Sequence, residues 1–525
     1  MKLKKTYFCS SDAGIMKQKV SYTVLFVLSV VLLAFPAVQQ YAKLFEFKPL
    51  NGVTEKVEQP QFNFKNWMTG TFQKQEEQYL SENIGFRELF VRCYNQMSWS
   101  LFRKVQNKSI FINDENWIFN DFTIKHHYGQ SMYDYVGSNE EAIRKMTDDA
   151  LMIFKLQHVL QEYGTSFFVC LAPGKDMVCD AHLPEVNGFT RPPGILAIDF
   201  YPPLFDSLGI NYLDFSKYCM EIRDTLSYPL YLKSSSHWST QAADYIADSL
   251  FNYMEALSGL NIRELSWSEP YLAPTRDPDA DLEEVMNLFW PIESGMNYYV
   301  DVGLVEDTTA DKPKWLTVGD SYYWEWQYNL PLDQMFDYNH YWYYNNTVHN
   351  DPFHGNVSEV DLLRELISTD VIMLLYSPCN LFDLNRQFLT RSLFSLLYED
   401  GVAEDKLEKI KQDIRNTPEW YGSIEQNAIA NGQNVEQSIE DNARYLLMSQ
   451  PGLYFDEFKD AKVPECRNSR IDKVLMEVNN PERERIRRQM LENHEWLNAI
   501  REKAALSNIT IDEAINKDID WVLRE

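Results

Sequence analysis

The sequence contains few cysteines, and none of them forms a pair spaced for metal binding. Seven cysteines are scattered over 525 residues without a CxxC motif. The sequence therefore predicts no metal site and no cofactor. Cys170 and Cys179 are close enough in sequence to form a disulfide in an oxidising compartment, but two buried free thiols agree with the pattern equally well.

Basic residues are also in short supply. The chain has 49 Lys and Arg against 77 Asp and Glu, which gives a formal net charge of −28. A surface this acidic repels phosphate groups, so the composition argues against nucleic acid and anionic lipid head groups as partners. The charge does not by itself name a substrate.

Long hydrophobic runs are absent except for one near the N-terminus. Residues 20–42 contain no charged side chain, and about 20 apolar residues span the hydrocarbon core of a bilayer. The flanking lysines outnumber the one acid, Asp12, which favours an N-terminus inside and the rest of the chain outside. These lysines are Lys2, Lys4, Lys5, Lys17 and Lys19.

A cleaved signal peptide is the alternative to a membrane anchor. The apolar part of a signal peptide has about 7–15 residues and ends at a small-x-small site. This run is longer, and Phe35-Pro36-Ala37 is a poor cleavage site. We therefore expect a single-pass anchor at 20–42, a cytoplasmic tail at 1–19 and an extracytoplasmic, periplasmic remainder.

Beyond the anchor, the pattern predicts three regions. Residues 43–135 read as a membrane-proximal lead-in of helices, followed by a hairpin that turns at 113–116. Residues 136–400 alternate helical segments with short buried strands, which predicts a mostly parallel sheet with helices on both faces. Sites in such sheets lie beyond the carboxyl ends of the strands. The predicted strands are 166–173, 210–215, 228–233, 314–321 and 370–378.

Residues 401–525 are predicted to form a separable, charged helical domain with an internal repeat. Residues 417–447 match 493–523 at a constant offset of 76, for example Trp420 with Trp496 and Ile439 with Ile515. Each copy reads as two helices with a short break, which is Asn431-Gly432 in the first copy. The repeat predicts either a helical packing module or a docking surface for a partner, and the two are compatible.

Two short segments carry candidate chemistry. Gly319-Asp320-Ser321 follows a buried strand, where a serine hydroxyl becomes a nucleophile if a base reaches it. His237 lies between a predicted strand and a helix that Ser239 or Thr240 can cap, and a neutral imidazole is the usual base for a serine. Taken alone, each segment is more often structural than catalytic.

Several motifs in order resemble one family. Five segments resemble, in the same order, motifs of the SGNH-hydrolase-like domain of alginate O-acetyltransferases. They are the hairpin 110–121, the Pro-x-Lys segment ending at Lys175, His237-Trp238, Gly319-Asp320-Ser321-Tyr322 and the segment 376–381 with Asn380. The resemblance covers about 62–385. It implies an SGNH-like α/β domain in a membrane-anchored protein that acetylates an exported cell-surface polysaccharide.

The resemblance also implies roles for individual residues. Ser321 would carry the acetyl group as an ester, and His237 would move the protons. Backbone N–H groups near 319–322 would hold the oxyanion. The remaining candidates are Asp320 in the catalytic group and, for the oxyanion or the substrate, Gly319, Tyr322, Trp238, Lys175 and Asn380.

One departure from the family concerns the acid that orients the histidine. The acid of the family's Asp-x-His-Trp motif aligns with Ser235, and losing this acid from a triad lowers turnover by about 10⁴. Ser235 would leave a Ser-His dyad, or another acid such as Asp214 would replace it. The alternatives to an active transferase are a catalytically impaired glycan-binding or scaffold subunit and a carbohydrate esterase.

The resemblance implies partners as well. Family members work beside a multi-pass membrane O-acyltransferase that supplies acetyl groups across the bilayer. One membrane span and no nucleotide-binding loop give this chain no route of its own to a cytoplasmic acetyl donor.

Overall fold

A computed structural model describes residues 11–52, 57–130, 139–186, 195–292, 295–350, 354–398, 400–430, 433–507 and 509–524. Residues 1–10 of the expected cytoplasmic tail, Cys9 and the Asn431-Gly432 break lie outside the described residues. Within the described part, helix Ser11–Ala42 contains the apolar segment Val20–Ala42, which is long enough to cross a membrane and is exposed over most of its length. This helix is compatible with a single-pass anchor or with a signal sequence.

The lead-in consists of helices followed by a hairpin. The helices are Phe64–Met68, Thr71–Asn83 and Arg87–Phe102. Ile110–Ile112 and Ile118–Asn120 are strands, and the Asn113 N–H closes their turn by donating to the Trp117 carbonyl at 3.1 Å. The predicted helices and hairpin are confirmed.

The chain divides into two compact units. The first comprises the described residues within Met1–Phe111 and Asp281–Glu293. In it, the Asn95 side chain donates to the Met286 carbonyl at 2.8 Å, which ties the short segment to the lead-in helices. The second unit contains the sheet, its helices and the C-terminal helical region.

A seven-stranded sheet forms the centre of the second unit. Its strands, in chain order, are β1 (Ser166–Leu171), β2 (Tyr212–Asp214), β3 (Lys314–Gly319), β4 (Tyr338–Tyr343), β5 (Thr347–His349), β6 (Gly355–Asn356) and β7 (Val371–Tyr376). The spatial order is β6-β5-β4-β3-β7-β1-β2, and the five strands from β4 to β2 are parallel. The carboxyl ends of β3, β7 and β1 therefore meet at one edge, as the strand–helix alternation predicts.

Burial explains these strands. Each of Val371, Ile372, Met373, Leu374 and Leu375 in β7 is buried, because helices cover both faces of a parallel sheet. The covering helices include Glu140–Glu162, Ala197–Leu208, Thr240–Ser258, Leu362–Ser368 and Phe388–Leu397. The mixed α/β fold predicted from the sequence is confirmed.

The C-terminal region is helical, as predicted. The first repeat copy forms helices Pro418–Ala430 and Val435–Ser449, and the second forms His494–Ser507 and Ile511–Val522. Between and before them lie Asp400–Asn416, Pro451–Tyr454, Arg470–Val478 and Pro481–Glu492. Leu407, Ile410 and Leu447 of this region belong to the same hydrophobic core as Leu316 and Ile372 of the sheet.

The segment 228–233, which the sequence predicts as a strand, does not join the sheet. Tyr231 makes only an isolated bridge with Trp238, so this segment closes a loop on itself. Pro229 contributes to this outcome because it has no N–H for a strand ladder. His237 therefore comes from a loop beside the sheet, and the prediction that it follows a sheet strand was wrong.

The remaining elements are short. The short helices are Asp121–His127, Lys175–Val178, Phe215–Ile222, Asp281–Glu284, Trp324–Asn329 and Leu332–Met335. Two further strand pairs are antiparallel: Leu265–Trp267 pairs with Val302–Leu304, and Tyr271–Pro274 pairs with Met296–Tyr299. Cys170 and Cys179 are both buried free thiols. Of the two arrangements left open by the sequence, the structure shows the free thiols.

Candidate active site

The site begins where β3 ends. Gly319 is the last residue of β3, and Ser321 opens a short helical turn, Ser321–Tyr323. A Cβ atom at Gly319 would collide with the Leu375 carbonyl of β7, so glycine is required for the two strands to lie this close. Ser321 is partly exposed at the carboxyl edge of the sheet.

Asp320 holds this turn in place. Its buried carboxylate accepts hydrogen bonds from the Ser377 N–H at 2.8 Å, the Ser377 hydroxyl at 2.6 Å and the Asn380 amide at 2.8 Å. Its other oxygen accepts from the Tyr322 N–H at 3.2 Å and caps the turn. Asp320 thus fixes the Ser321 turn to the end of β7.

His237 reaches Ser321 from the neighbouring loop. Its Nε2 atom lies 2.8 Å from Ser321 Oγ. The side chain of Ser239 caps helix Thr240–Ser258 by accepting from the Ala242 N–H at 3.3 Å, which anchors the end of the loop. Two residues separated by 84 positions in the sequence thus form a hydrogen-bonded pair at the sheet edge.

The two acid substitutes considered from the sequence do not contact the His237 ring in this arrangement. The Ser235 hydroxyl is buried and bonds the main chain of His237, accepting from its N–H at 3.1 Å. The Asp214 carboxylate caps helix Phe215–Ile222, where it accepts from the Lys217 N–H at 2.8 Å. Both residues shape the surrounding backbone.

An acid that the sequence analysis missed lies on the other side of the ring. Glu325 Oε1 is 3.4 Å from His237 Nδ1, and the Glu325 side chain is only 1% exposed. Glu325 lies four residues after Ser321 on the same continuous helical segment, so both side chains point to one face. A signal for it existed: Glu325 is the only charged residue in the aromatic segment 321–329.

Further buried carboxylates lie behind Glu325. Asp244, on helix Thr240–Ser258, is 1% exposed, and neither of its carboxylate oxygens has a hydrogen-bond partner in the described structure. The pKa of Asp244 is raised to about 8, chiefly by burial and also by the charges of Asp279 and Glu325, while Arg276 opposes the rise. Asp244 is therefore protonated and neutral near pH 7.

This gives a prediction for stability against pH. Because the folded-state pKa of about 8 lies above the ordinary value of 3.8, the folded state holds a proton that the unfolded chain releases. Asp244 therefore weakens the fold as pH rises from about 4 to about 8. We expect Asp244→Asn to stabilise the protein by about 2 kcal/mol or more at pH 9 and by little at pH 4.

The measurement is thermal or urea unfolding of the full chain in detergent at both pH values. Asp248→Asn, at a partly exposed position on the same helix, is the matched control and should change stability equally little at either pH. A pH-independent effect of Asp244→Asn would contradict the assigned protonation.

Lys175 stabilises the loop that carries His237 by hydrogen bonding to its main chain. Its buried ammonium group donates to the carbonyls of Ile118 at 2.7 Å, Lys233 at 3.2 Å and Ser235 at 2.5 Å. A buried cation must be surrounded by acceptors, so these three carbonyls are drawn together around it. Lys175 thereby joins the hairpin to the loop that carries His237.

Trp238 and Tyr322 pack beneath the site. Trp238 is buried, and its ring contacts those of Tyr322 at 5.4 Å and Trp326 at 5.0 Å between centroids. The Tyr322 hydroxyl lies 2.9 Å from that of Tyr231 and 3.3 Å from the Ser236 carbonyl. Both side chains therefore brace the loop around His237.

Asn380 and two N–H groups of the turn, which are candidate oxyanion donors, already have hydrogen-bond partners within the fold. The Asn380 amide donates to Asp320 at 2.8 Å and to the Ser377 hydroxyl at 3.2 Å. The N–H groups of Asp320 and Tyr322 also have partners within the fold, the Leu375 carbonyl at 3.0 Å and the Asp320 carboxylate at 3.2 Å. Ser321 itself opens the turn, where a helical N–H has no partner from within its own helix.

A row of aromatic rings extends from the site along the sheet edge. The Tyr344 N–H donates to the Gly319 carbonyl at 2.8 Å, which puts this residue beside the Ser321 turn. The rings of Tyr344 and Tyr343 are 4.5 Å apart, Tyr343 lies 5.8 Å from Trp324, and Trp324 stacks on Tyr328 at 5.7 Å. Tyr328 is 67% exposed. We call Tyr328, Trp324, Tyr343 and Tyr344 the aromatic ledge.

Comparison with known proteins gives similar structures but no sequence family. No family profile matches the chain, and no curated protein matches it. Among solved structures, the O-acetyltransferase domain of Pseudomonas putida AlgJ is similar at 13% identity over 54% of this chain and 98% of that one, with a TM-score of 0.34.

Two further structures show the same level of similarity. Pseudomonas aeruginosa AlgX is similar at 13% identity over 52% of this chain and 67% of that one, with a TM-score of 0.33. Bacillus cereus PatB1 with a sulfonyl adduct is similar at 13% identity over 52% of this chain and 97% of that one, also with a TM-score of 0.33.

Proposed function

We propose that this protein is an O-acyltransferase that forms an acetyl ester on Ser321 and passes the acetyl group to a hydroxyl of an exported polysaccharide. The observation that carries the proposal is the 2.8 Å contact between His237 Nε2 and Ser321 Oγ at the carboxyl edge of a parallel sheet. A base at this distance is within reach of the serine proton. The order of the sequence motifs supports the same assignment.

The reaction consists of two matched transfers. In the first, His237 Nε2 takes the Ser321 proton, Ser321 Oγ bonds to the acetyl carbon, the donor's bond to that carbon breaks, and the proton passes to the leaving group. In the second, a sugar hydroxyl loses its proton to His237 and attacks the ester, and Ser321 recovers the proton as its bond to carbon breaks. The Ser321 N–H would stabilise the oxyanion in both steps.

The aromatic ledge supports a carbohydrate acceptor. The C–H faces of a sugar ring are apolar and pack on aromatic rings, while its hydroxyls remain in water. The ledge leads away from Ser321, and Tyr328 at its far end is exposed. A polymer lying on it would present hydroxyls to the acetylated serine.

The setting and the acetyl supply complete the proposal. The apolar helix would anchor the protein in the cell membrane, with the active site on the periplasmic side. A multi-pass membrane O-acyltransferase would then deliver acetyl groups to Ser321, since the described part of this chain contains one segment long and apolar enough to span a bilayer.

The test is covalent capture at Ser321. We expect phenylmethylsulfonyl fluoride to label the full chain in detergent once, and peptide mass spectrometry to find the label on Ser321. Brief incubation with 4-nitrophenyl acetate should place an acetyl group on the same residue, because the 2.8 Å hydrogen bond to His237 Nε2 activates this hydroxyl. His237→Ala should prevent both modifications. A label on other serines in equal amount, or none, would contradict the proposal.

A further inference from the structure

We infer that Glu325 is the acid that orients His237. It lies on the helix that follows the nucleophile, and it fills the role for which Ser235 has no carboxylate. This inference rests on the proposed function, because it assigns a residue to the same Ser321–His237 pair. Glu325 touches neither Ser321 nor an acceptor in this assignment, and it acts through His237 as a positioning residue.

Geometry supports the assignment first. The two ring nitrogens of His237 face opposite partners: Nε2 faces Ser321 Oγ at 2.8 Å and Nδ1 faces Glu325 Oε1 at 3.4 Å. A carboxylate at Nδ1 keeps the proton on that nitrogen and leaves the Nε2 lone pair for the serine hydroxyl. A separation of 3.4 Å is long for a hydrogen bond, as is common at catalytic groups without substrate.

Burial and connectivity support it next. Glu325 is buried on helix Trp324–Asn329, which begins directly after the turn that carries Ser321. The next residue, Trp326, donates its indole N–H to the Ala243 carbonyl at 2.8 Å, which fixes this helix to helix Thr240–Ser258. The acid and the nucleophile therefore lie on one continuous helical segment that is bonded to helix Thr240–Ser258.

Several titratable groups lie around Glu325. The titratable groups that face it are His237 at 3.4 Å, Asp244 and Tyr322, with Asp279 and Arg276 around Asp244. Asp244 is neutral near pH 7, and burial raises the pKa of Tyr322 well above its ordinary value, so both stay uncharged. Neither Asp244 nor Tyr322 therefore places a negative charge beside Glu325, and a carboxylate at Glu325 would attract an imidazolium at His237.

The role of Ser235 follows from the same contacts. Its hydroxyl bonds the main chain of His237, and its carbonyl binds Lys175. A serine there holds the loop and supplies no charge. The positioning acid has thus moved from two residues before the histidine to four residues after the nucleophile.

The experiment measures hydrolysis of 4-nitrophenyl acetate by the full chain in detergent from pH 5 to pH 9. We expect Glu325→Gln to lower kcat by about 10²- to 10⁴-fold, and Glu325→Asp to recover part of the loss. The acidic limb of the kcat profile should move to lower pH in Glu325→Gln, because an imidazolium without a carboxylate partner gives up its proton more easily. Glu269→Gln, at an exposed glutamate, is the matched control and should leave rate and profile unchanged.

A second measurement distinguishes a loss of His237 positioning from a folding defect. We expect the ring signals of His237, assigned by comparison with His237→Gln, to titrate at lower pH in Glu325→Gln by NMR. We also expect Ser235→Asp to speed the Glu325→Gln variant at least about tenfold, because it restores a carboxylate in the loop of His237.

Some outcomes would overturn the inference. A rate in Glu325→Gln within threefold of wild type, with an unmoved pH profile and unmoved His237 signals, would do so. A large loss in Ser236→Ala with none in Glu325→Gln would assign the orientation to the Ser236 hydroxyl, which lies 3.4 Å from Nδ1. If Ser321→Ala kept full turnover, the proposed function would fail instead, so the two failures are distinguishable.

Discussion

Replacing Ser321 with alanine is expected to lower acetyl ester turnover by at least about 10³-fold while the protein stays folded. The hydroxyl is the atom that would bond to the acetyl carbon, and no neighbouring group can take its place. Its one described hydrogen bond is to His237, so its removal should change the free energy of unfolding by no more than about 1 kcal/mol.

The pair should also behave as a unit. His237→Ala should lose a similar factor, and the double variant should be no slower than the worse single one, because neither residue works without the other. Ser207→Ala removes an exposed hydroxyl that donates to the Leu204 carbonyl at 2.8 Å and is the matched control. Additive losses from Ser321→Ala and His237→Ala would show that the two residues act separately.

Removing the C-terminal helices is expected to destroy the fold of the second unit. Truncation after Tyr398 removes every helix from residue 400 onward, and these helices bury Leu407, Ile410, Ile414 and Leu447 in the core that the sheet also uses. Each such side chain contributes about 1.5–3 kcal/mol by burial, so the loss of these four alone is comparable to the stability of an ordinary domain. We expect this variant to lose cooperative unfolding, which calorimetry or circular dichroism would measure.

A shorter truncation provides the control. Ending the chain after Ser507 removes helix Ile511–Val522, whose buried residues Ala514, Ile515 and Ile519 belong to a separate cluster. This variant should unfold cooperatively at a somewhat lower temperature. The sequence repeat predicts a separable helical domain from residue 401, and a stable, active protein ending at Tyr398 would favour that prediction over a shared core.

Much of the fold follows from local sequence. The strands β1, β3 and β7 are mostly apolar, as is typical of a parallel sheet covered on both faces, and Pro173, Gly319 and Pro378 lie at or just beyond their ends. The repeat at offset 76 identified the helix pairs of the C-terminal region because matched apolar positions mark matched packing faces. Local pattern carries such information because neighbours in the chain are neighbours in the element.

Ser321 and His237 were candidates from the sequence for the same reason, since both lie where a buried segment ends. Their distance in space could not be read from the sequence, because they are 84 positions apart and the loop of His237 is not a sheet strand. The contact depends on Ser239 capping one helix and on Lys175 gathering three carbonyls beneath the loop.

The sequence by itself determined the apolar N-terminal segment, the α/β pattern, the helical repeat and the candidate nucleophile and base. Only the tertiary structure placed Glu325 at His237 Nδ1, because an acid acts on a histidine through space and its position in the chain is free. Likewise, only the tertiary structure showed that Asp320 accepts hydrogen bonds from Ser377 and Asn380. It also showed that Asp244 is a neutral acid, because its carboxyl group is buried without a hydrogen-bond partner among the described residues. Burial and distance decide these roles, and both arise when distant segments pack together.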